Sequence, residues 1–191
     1  MVNFKGIKFG MVHLRLLPLL ILMLLTGRLY AQQGDFSWLT GSPKTTVETV
    51  SGPIPVLAFE ELEPLFHQEG TQVRIINFWA TWCAPCIAEL PFFEKIRREY
   101  ADRGVEVTLV SLDMPSMWEK RLPAFIEKRG IESPVVVLDD PRQNDWIPRV
   151  SQEWSGAIPA TLIYSANRRE FYEQTFDGPQ LESVVQSFLN D

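Results

Sequence analysis

Residues Val73-Arg74-Ile75-Ile76-Asn77-Phe78-Trp79 form a nearly continuous apolar run rich in β-branched side chains. From Ile87 the pattern changes. Ile87, Leu90, Phe93, Ile96 and Tyr100 make one apolar stripe over a charged face, closed by Gly104. The first pattern fits a strand buried on both faces, and the second an amphipathic helix. The change falls at Cys83-Ala84-Pro85-Cys86, which holds the only two cysteines of the chain. A strand that feeds a helix at this point puts Cys83 at or just before the first helical turn. Unpaired backbone N–H groups and the helix dipole favour an anion there, and a thiolate is that anion. Such placement lowers a thiol pKa from roughly 8.5 to between roughly 3.5 and 7.5. Cys86, one turn further on, is near enough to attack a mixed disulfide formed at Cys83. Pro85 suits the first turn and stiffens the loop. Trp79 and Trp82 are expected to shield the pair and to offer a flat apolar surface to a partner.

The rest of the chain supplies the frame. Phe59, Leu62, Leu65 and Phe66 recur at helical spacing, so 58–69 reads as a helix, with Pro64 limiting its start. Val105–Asp113 reads as a second buried strand, Ser116–Arg129 as a helix and Val135–Leu138 as a third strand. A less regular stretch follows. Ala160–Ser165 and Glu170–Gln174 then read as a hairpin turning through Asn167 and Arg168. Pro179 opens a last helix through Leu181, Val184, Val185 and Phe188. Strand and helix alternate, and a hairpin and helix close the chain. This predicts the α/β class, with a central mixed β-sheet flanked by helices on both faces.

The first residues do not read as domain. Lys5, Lys8 and Arg15 precede a ten-residue apolar core, Leu16–Leu25, and the small residue Ala31 follows. That order is a secretory signal peptide. The core is well short of the roughly 20 residues that span a bilayer. The expected organisation is a signal over 1–31, a leader over 32–54 with one short edge strand in Thr45–Val50, and a domain over 55–191. Four of the 18 basic residues and none of the 24 acidic ones fall within 1–31, so residues 32–191 carry a formal charge of −10. Such a surface argues against nucleic acid as a partner. Export makes an oxidised cysteine pair natural.

Four readings of the pair compete. A structural staple would close a very small loop and so stabilise little. Zinc needs about four ligands, and beyond residue 31 the chain offers only Cys83, Cys86 and His67 as thiol or imidazole donors. A peroxide-reducing cysteine would need an activating setting of its own. Dithiol redox chemistry, with no cofactor and no metal, is the reading the residues favour.

Asn77–Pro91, NFWATWCAPCIAELP, resembles the active-site segment of thioredoxin-fold proteins. Within them it is most similar to the exported thiol–disulfide oxidoreductases of the TlpA/ResA type. Trp154–Tyr164, WSGAIPATLIY, resembles their cis-proline loop. The likeness covers residues 55–190 and lacks the family's usual opening, so a reduced or different first hairpin is expected. The resemblance implies a thioredoxin-like fold and a periplasmic enzyme acting on protein disulfides or thiols. It implies Cys83 as nucleophile, Cys86 as resolving thiol and Pro159 as a cis residue facing them. The backbone of Ile158 would pair with a client strand beside Trp82, Ala84 and Pro85. Glu89 resembles the family's active-site glutamate, which would disfavour the thiolate and relay a proton. Asn77 stands where cytosolic thioredoxins carry a buried aspartate. Pro91 should kink its helix, a feature the family shares.

Ala84-Pro85 between the cysteines is nearer to the family's reducing members than to its oxidants. The resemblance therefore points to a reductase of protein disulfides fed by a membrane electron donor. Its service would be extracytoplasmic redox homeostasis, with cytochrome c maturation as one candidate setting. An oxidase or isomerase of secreted proteins, and a non-catalytic binding or chaperone-like module, are the alternatives.

Overall fold

The computed structural model describes residues 36–191. The expected signal segment, 1–31, lies outside the described residues. Seven strands form one sheet: β1 (Thr45–Val47), β2 (Ile54–Leu57), β3 (Val73–Trp79), β4 (Val105–Ser111), β5 (Val135–Leu138), β6 (Ala160–Tyr164) and β7 (Arg169–Tyr172). Their spatial order is β1-β2-β5-β4-β3-β6-β7. β2, β5, β4 and β3 run parallel, and β1, β6 and β7 add antiparallel pairs, so the sheet is mixed.

The helices are α1 (Phe59–Leu62), α2 (Ala84–Tyr100), α3 (Pro115–Trp118), α4 (Arg121–Arg129), α5 (Gln143–Val150) and α6 (Gly178–Leu189). Apolar side chains divide between the two faces of the sheet. Leu90, Phe93 and Ile96 of α2, Leu122 and Ile126 of α4, and Leu181, Val185 and Phe188 of α6 pack on one face. Phe59 and Leu62 of α1, and Trp146 and Val150 of α5, pack on the other with Trp38. β3 lies between both layers: Val73, Ile75 and Trp79 face the first and Ile76 and Phe78 the second. Strand alternation therefore turns Asn77 toward the α2 side.

Four elements differ from the sequence reading. β2 reads poorly because it has four residues and Pro55 among them, and proline interrupts a strand pattern. It is nonetheless fully buried between β1 and β5. α5 hides in the stretch called irregular, since Pro148 lies inside it and only Trp146 and Val150 are buried. The expected helix 116–129 is two helices. Pro123 lacks an N–H and its ring crowds the carbonyl four residues back, so the helical path breaks at Glu119–Lys120. After Leu62, α1 tightens into a 3-10 turn, Glu63–Phe66, around Pro64.

Candidate active site

β3 and β4 are paired through Trp79 and Ser111, and their parallel C-terminal ends open onto one edge of the sheet. In open α/β sheets this is where ligands approach. The chain leaves β3 at Trp79, makes a short turn, and enters α2 with Cys83 as its N-cap. Cys83 Sγ accepts a hydrogen bond from the Cys86 N–H at 3.3 Å, and the Ile87 N–H closes the first turn on the Cys83 carbonyl at 3.0 Å. Pro85 sits in that first turn, which holds no acidic residue. The helix end therefore presents its N–H groups to sulfur. Cys83 and Cys86 are joined as a disulfide. Both are buried in this oxidised state, Cys83 keeping 5% exposure and Cys86 none, so the approach to the pair is from the Cys83 side.

The surroundings sort the expected residues. Trp82, Ala84 and Pro85 are exposed around Cys83. Trp79 is not: it is fully buried and packs against Phe125. Trp79 backs the pair from the core, and Trp82, 49% exposed, alone of the two presents an apolar face. Ile158–Pro159 is a cis peptide bond, and the Ile158 carbonyl lies 3.8 Å from Cys83 Sγ. His67 is exposed at the end of the 3-10 turn. Among the described residues no group of three or more His, Cys, Asp or Glu could hold a metal ion. α2 runs as one helix with Pro91 on its exposed side. The missing N–H of Pro91 leaves the Ile87 carbonyl without its helical partner.

Glu89 follows Cys86 by three residues and shares its buried helix face. It is 0% exposed. Asn77 Nδ2 donates to Glu89 Oε1 at 2.9 Å, and the Phe176 N–H donates to Oε2 at 2.8 Å. Burial pushes the Glu89 carboxyl up to about 7, the two hydrogen bonds only partly offsetting it. The sheet register supplies Asn77. It stands directly across from Thr161 in the β3–β6 pair, and its Nδ2 also donates to Thr161 Oγ1 at 3.1 Å. The side-chain amide oxygen of Asn77, Oδ1, has no partner among the described residues. Thr161, Asn77 and Glu89 thus form a polar file on the buried helix face that carries Cys86, ending on a carboxyl that titrates near neutrality.

The sequence reading missed a second carboxylate. Extending the β3–β4 register two steps past its last pair sets Thr81 opposite Asp113. Asp113 is 2% exposed. It accepts from the Thr81 N–H at 3.1 Å, from Thr81 Oγ1 at 2.6 Å and from Ser111 Oγ at 2.9 Å. Arg121 donates to the Thr81 carbonyl at 3.0 Å. The turn before Cys83 is therefore held on both sides. The available signal was a lone aspartate at the end of a buried strand, which reads as a solvated strand end unless the register is known.

A mixed sheet with helices on both faces, and a Cys-x-x-Cys disulfide at a helix N-terminus facing a cis-proline loop, defines a thioredoxin-like fold. The chain belongs to the AhpC/TSA family, whose model matches residues 61–169, more than half its length. It is 43% identical over 124 residues to the thiol-disulfide oxidoreductase ResA of Oceanobacillus iheyensis, covering 64% of this chain and 58% of that one. It is 33% identical over 96 residues to the thioredoxin-like protein YneN of Bacillus subtilis, covering 50% and 51%. The chain thus spans about half the length of these curated relatives. In fold it matches the crystal structure of a thioredoxin-related protein from Neisseria meningitidis serogroup B. That match has a TM-score of 0.55 and 20% identity, covering 65% of this chain and 90% of that one.

Proposed function

We propose that this protein is an exported thiol–disulfide oxidoreductase that reduces disulfides in client proteins. The observation that carries the reading is the asymmetry of the pair: Cys83 caps the helix N-terminus among the exposed Trp82, Ala84 and Pro85 and keeps 5% exposure, while Cys86 behind it has none. A nucleophile and its resolving partner need that arrangement. The names of the relatives support the same chemistry.

The geometry supports the following reaction. The Cys83 thiolate attacks one sulfur of a client disulfide; a Cys83–client bond forms and the other client sulfur leaves as a thiolate. The client strand lies along Ile158–Pro159, between the exposed faces of Trp82, Ala84 and Pro85. Cys86 then gives up its proton, with the Glu89 carboxylate as acceptor, and attacks Cys83 Sγ. The Cys83–Cys86 bond forms, the mixed disulfide breaks, and the first client sulfur leaves reduced. Two electrons have passed to the client and the protein ends oxidised. A dithiol donor must then reduce the pair again, and a membrane electron-transfer protein fits an exported reductase. The haem-attachment cysteines of cytochromes c are one fitting client class.

Trapping tests this reading. Reduced Cys86→Ser protein mixed with a disulfide-bearing client is expected to accumulate a stable mixed disulfide through Cys83, seen as a mass adduct that dithiothreitol removes. Cys83→Ser is expected to form none and to lose client reduction. Client turnover by Cys83→Ser, or no adduct with Cys86→Ser, would overturn the proposal.

A further inference from the structure

The loop that carries Ile158 and Pro159 is anchored at Trp154, Ser155 and Ala157. Trp154 is buried among Phe78, Trp146 and Phe171. Its Nε1 donates to the Ala157 carbonyl at 2.8 Å. Gly156 has φ +95, and a Cβ there would lie 3.1 Å from Ile147 Cδ1, so the position needs glycine. One carboxylate takes the donors of Ser155 and Ala157. Glu173 accepts from the Ser155 N–H at 3.1 Å, from the Ala157 N–H at 3.0 Å, and from the Ser155 hydroxyl.

The hairpin explains why Glu173 is in reach. β6 and β7 pair through Thr161 and Tyr172, and one further step along that register sets Glu173 beside Ala160, next to Pro159. Partial burial raises the Glu173 carboxyl, but its hydrogen bonds outweigh this and it titrates below the usual range. It is therefore ionised at neutral pH, when charged acceptors hold their donors best. With the N–H and the carbonyl of Ala157 both engaged inside the protein, no described residue bonds the Ile158 N–H.

We propose that Glu173 is a positioning residue for client docking: it holds loop 155–157 so that the Ile158 backbone is set to pair with an extended polypeptide. This rests on the reading of the protein as a thiol–disulfide oxidoreductase. Without the carboxylate the loop spends part of its time in other conformations. The apparent affinity for a strand then falls by the fraction of time the loop is competent. Loss of three hydrogen bonds at a solvent-facing site corresponds to about a tenfold fall. A disulfide with no peptide backbone makes no use of the Ile158 pairing and is insensitive to the loop.

Single-turnover oxidation of the pre-reduced protein tests this with two probes: a peptide pair joined by one cystine and flanked by five residues on each side, and bis(2-hydroxyethyl) disulfide. Glu173→Ala is expected to raise the half-saturating peptide concentration about tenfold relative to its effect on the small disulfide. The maximal rate with peptide and the Cys83–Cys86 potential are expected to hold. Glu173→Gln keeps one acceptor oxygen and is expected to fall between. Equal effects on both probes, or no effect on either, would overturn the assignment. A wild-type protein that reacts with neither probe would overturn the underlying oxidoreductase reading instead.

Discussion

A carboxyl group removed from water, as that of Glu89 is, favours its neutral form, and this makes its titration a property of the whole fold. Its folded value of about 7 lies above its ordinary 4.5. The neutral form is the one the native state favours, so the stabilisation is full below about pH 4.5 and is lost as pH rises to about 7. The shift is worth about 3 kcal/mol. The carboxylates held low by partners, such as Asp140 beside Arg142, act in the opposite sense and at lower pH. Urea unfolding of the oxidised wild type is therefore expected to weaken by about this amount between pH 4.5 and 7.5, and Glu89→Gln to flatten that slope. The same substitution removes a negative charge near the thiols. The pH profile of Cys83 alkylation in reduced Glu89→Gln is expected to move to lower pH. A profile unchanged from wild type would leave Glu89 a merely structural carboxyl. The spacing of Glu89 from Cys83 was legible in the sequence, because one helix connects them. Its partners were not: Asn77 comes from β3, where it also bonds Thr161 of β6, and the Phe176 N–H comes from a distant loop.

The strand–turn–helix unit that carries the pair could be read directly, since both its periods are strong and the cysteines mark the junction. Elements with proline inside them could not. Pro55 in β2 and Pro148 in α5 each contradict the local rule, and only packing on the sheet settles them. The turn before Cys83 depends on register in the same way. Asp113 is recognisable only when β3 and β4 are laid side by side. Removing it strands the Thr81 N–H and two hydroxyls at a buried site. Asp113→Ala is expected to cost about 2–4 kcal/mol, read as a lower urea midpoint at unchanged slope. A midpoint within experimental error of wild type would show that the turn holds itself.

The molecule as a whole joins a net negative surface to a disulfide set at one edge of its sheet. Two features argue that the reduced pair is a good electron source. Ala84-Pro85 places no cationic side chain between the cysteines, and Glu89 puts a carboxylate on the buried side. Both withhold stabilisation from the thiolate, and a stabilised thiolate is what makes a strong oxidant. Equilibration of the protein against dithiothreitol buffers of known ratio, with the fraction of Cys83–Cys86 disulfide read by thiol labelling, gives the reduction potential directly. A value near or below the roughly −270 mV of thioredoxin is the expected result for a reductase. A value near the roughly −120 mV of DsbA would contradict it and assign the opposite direction of electron flow.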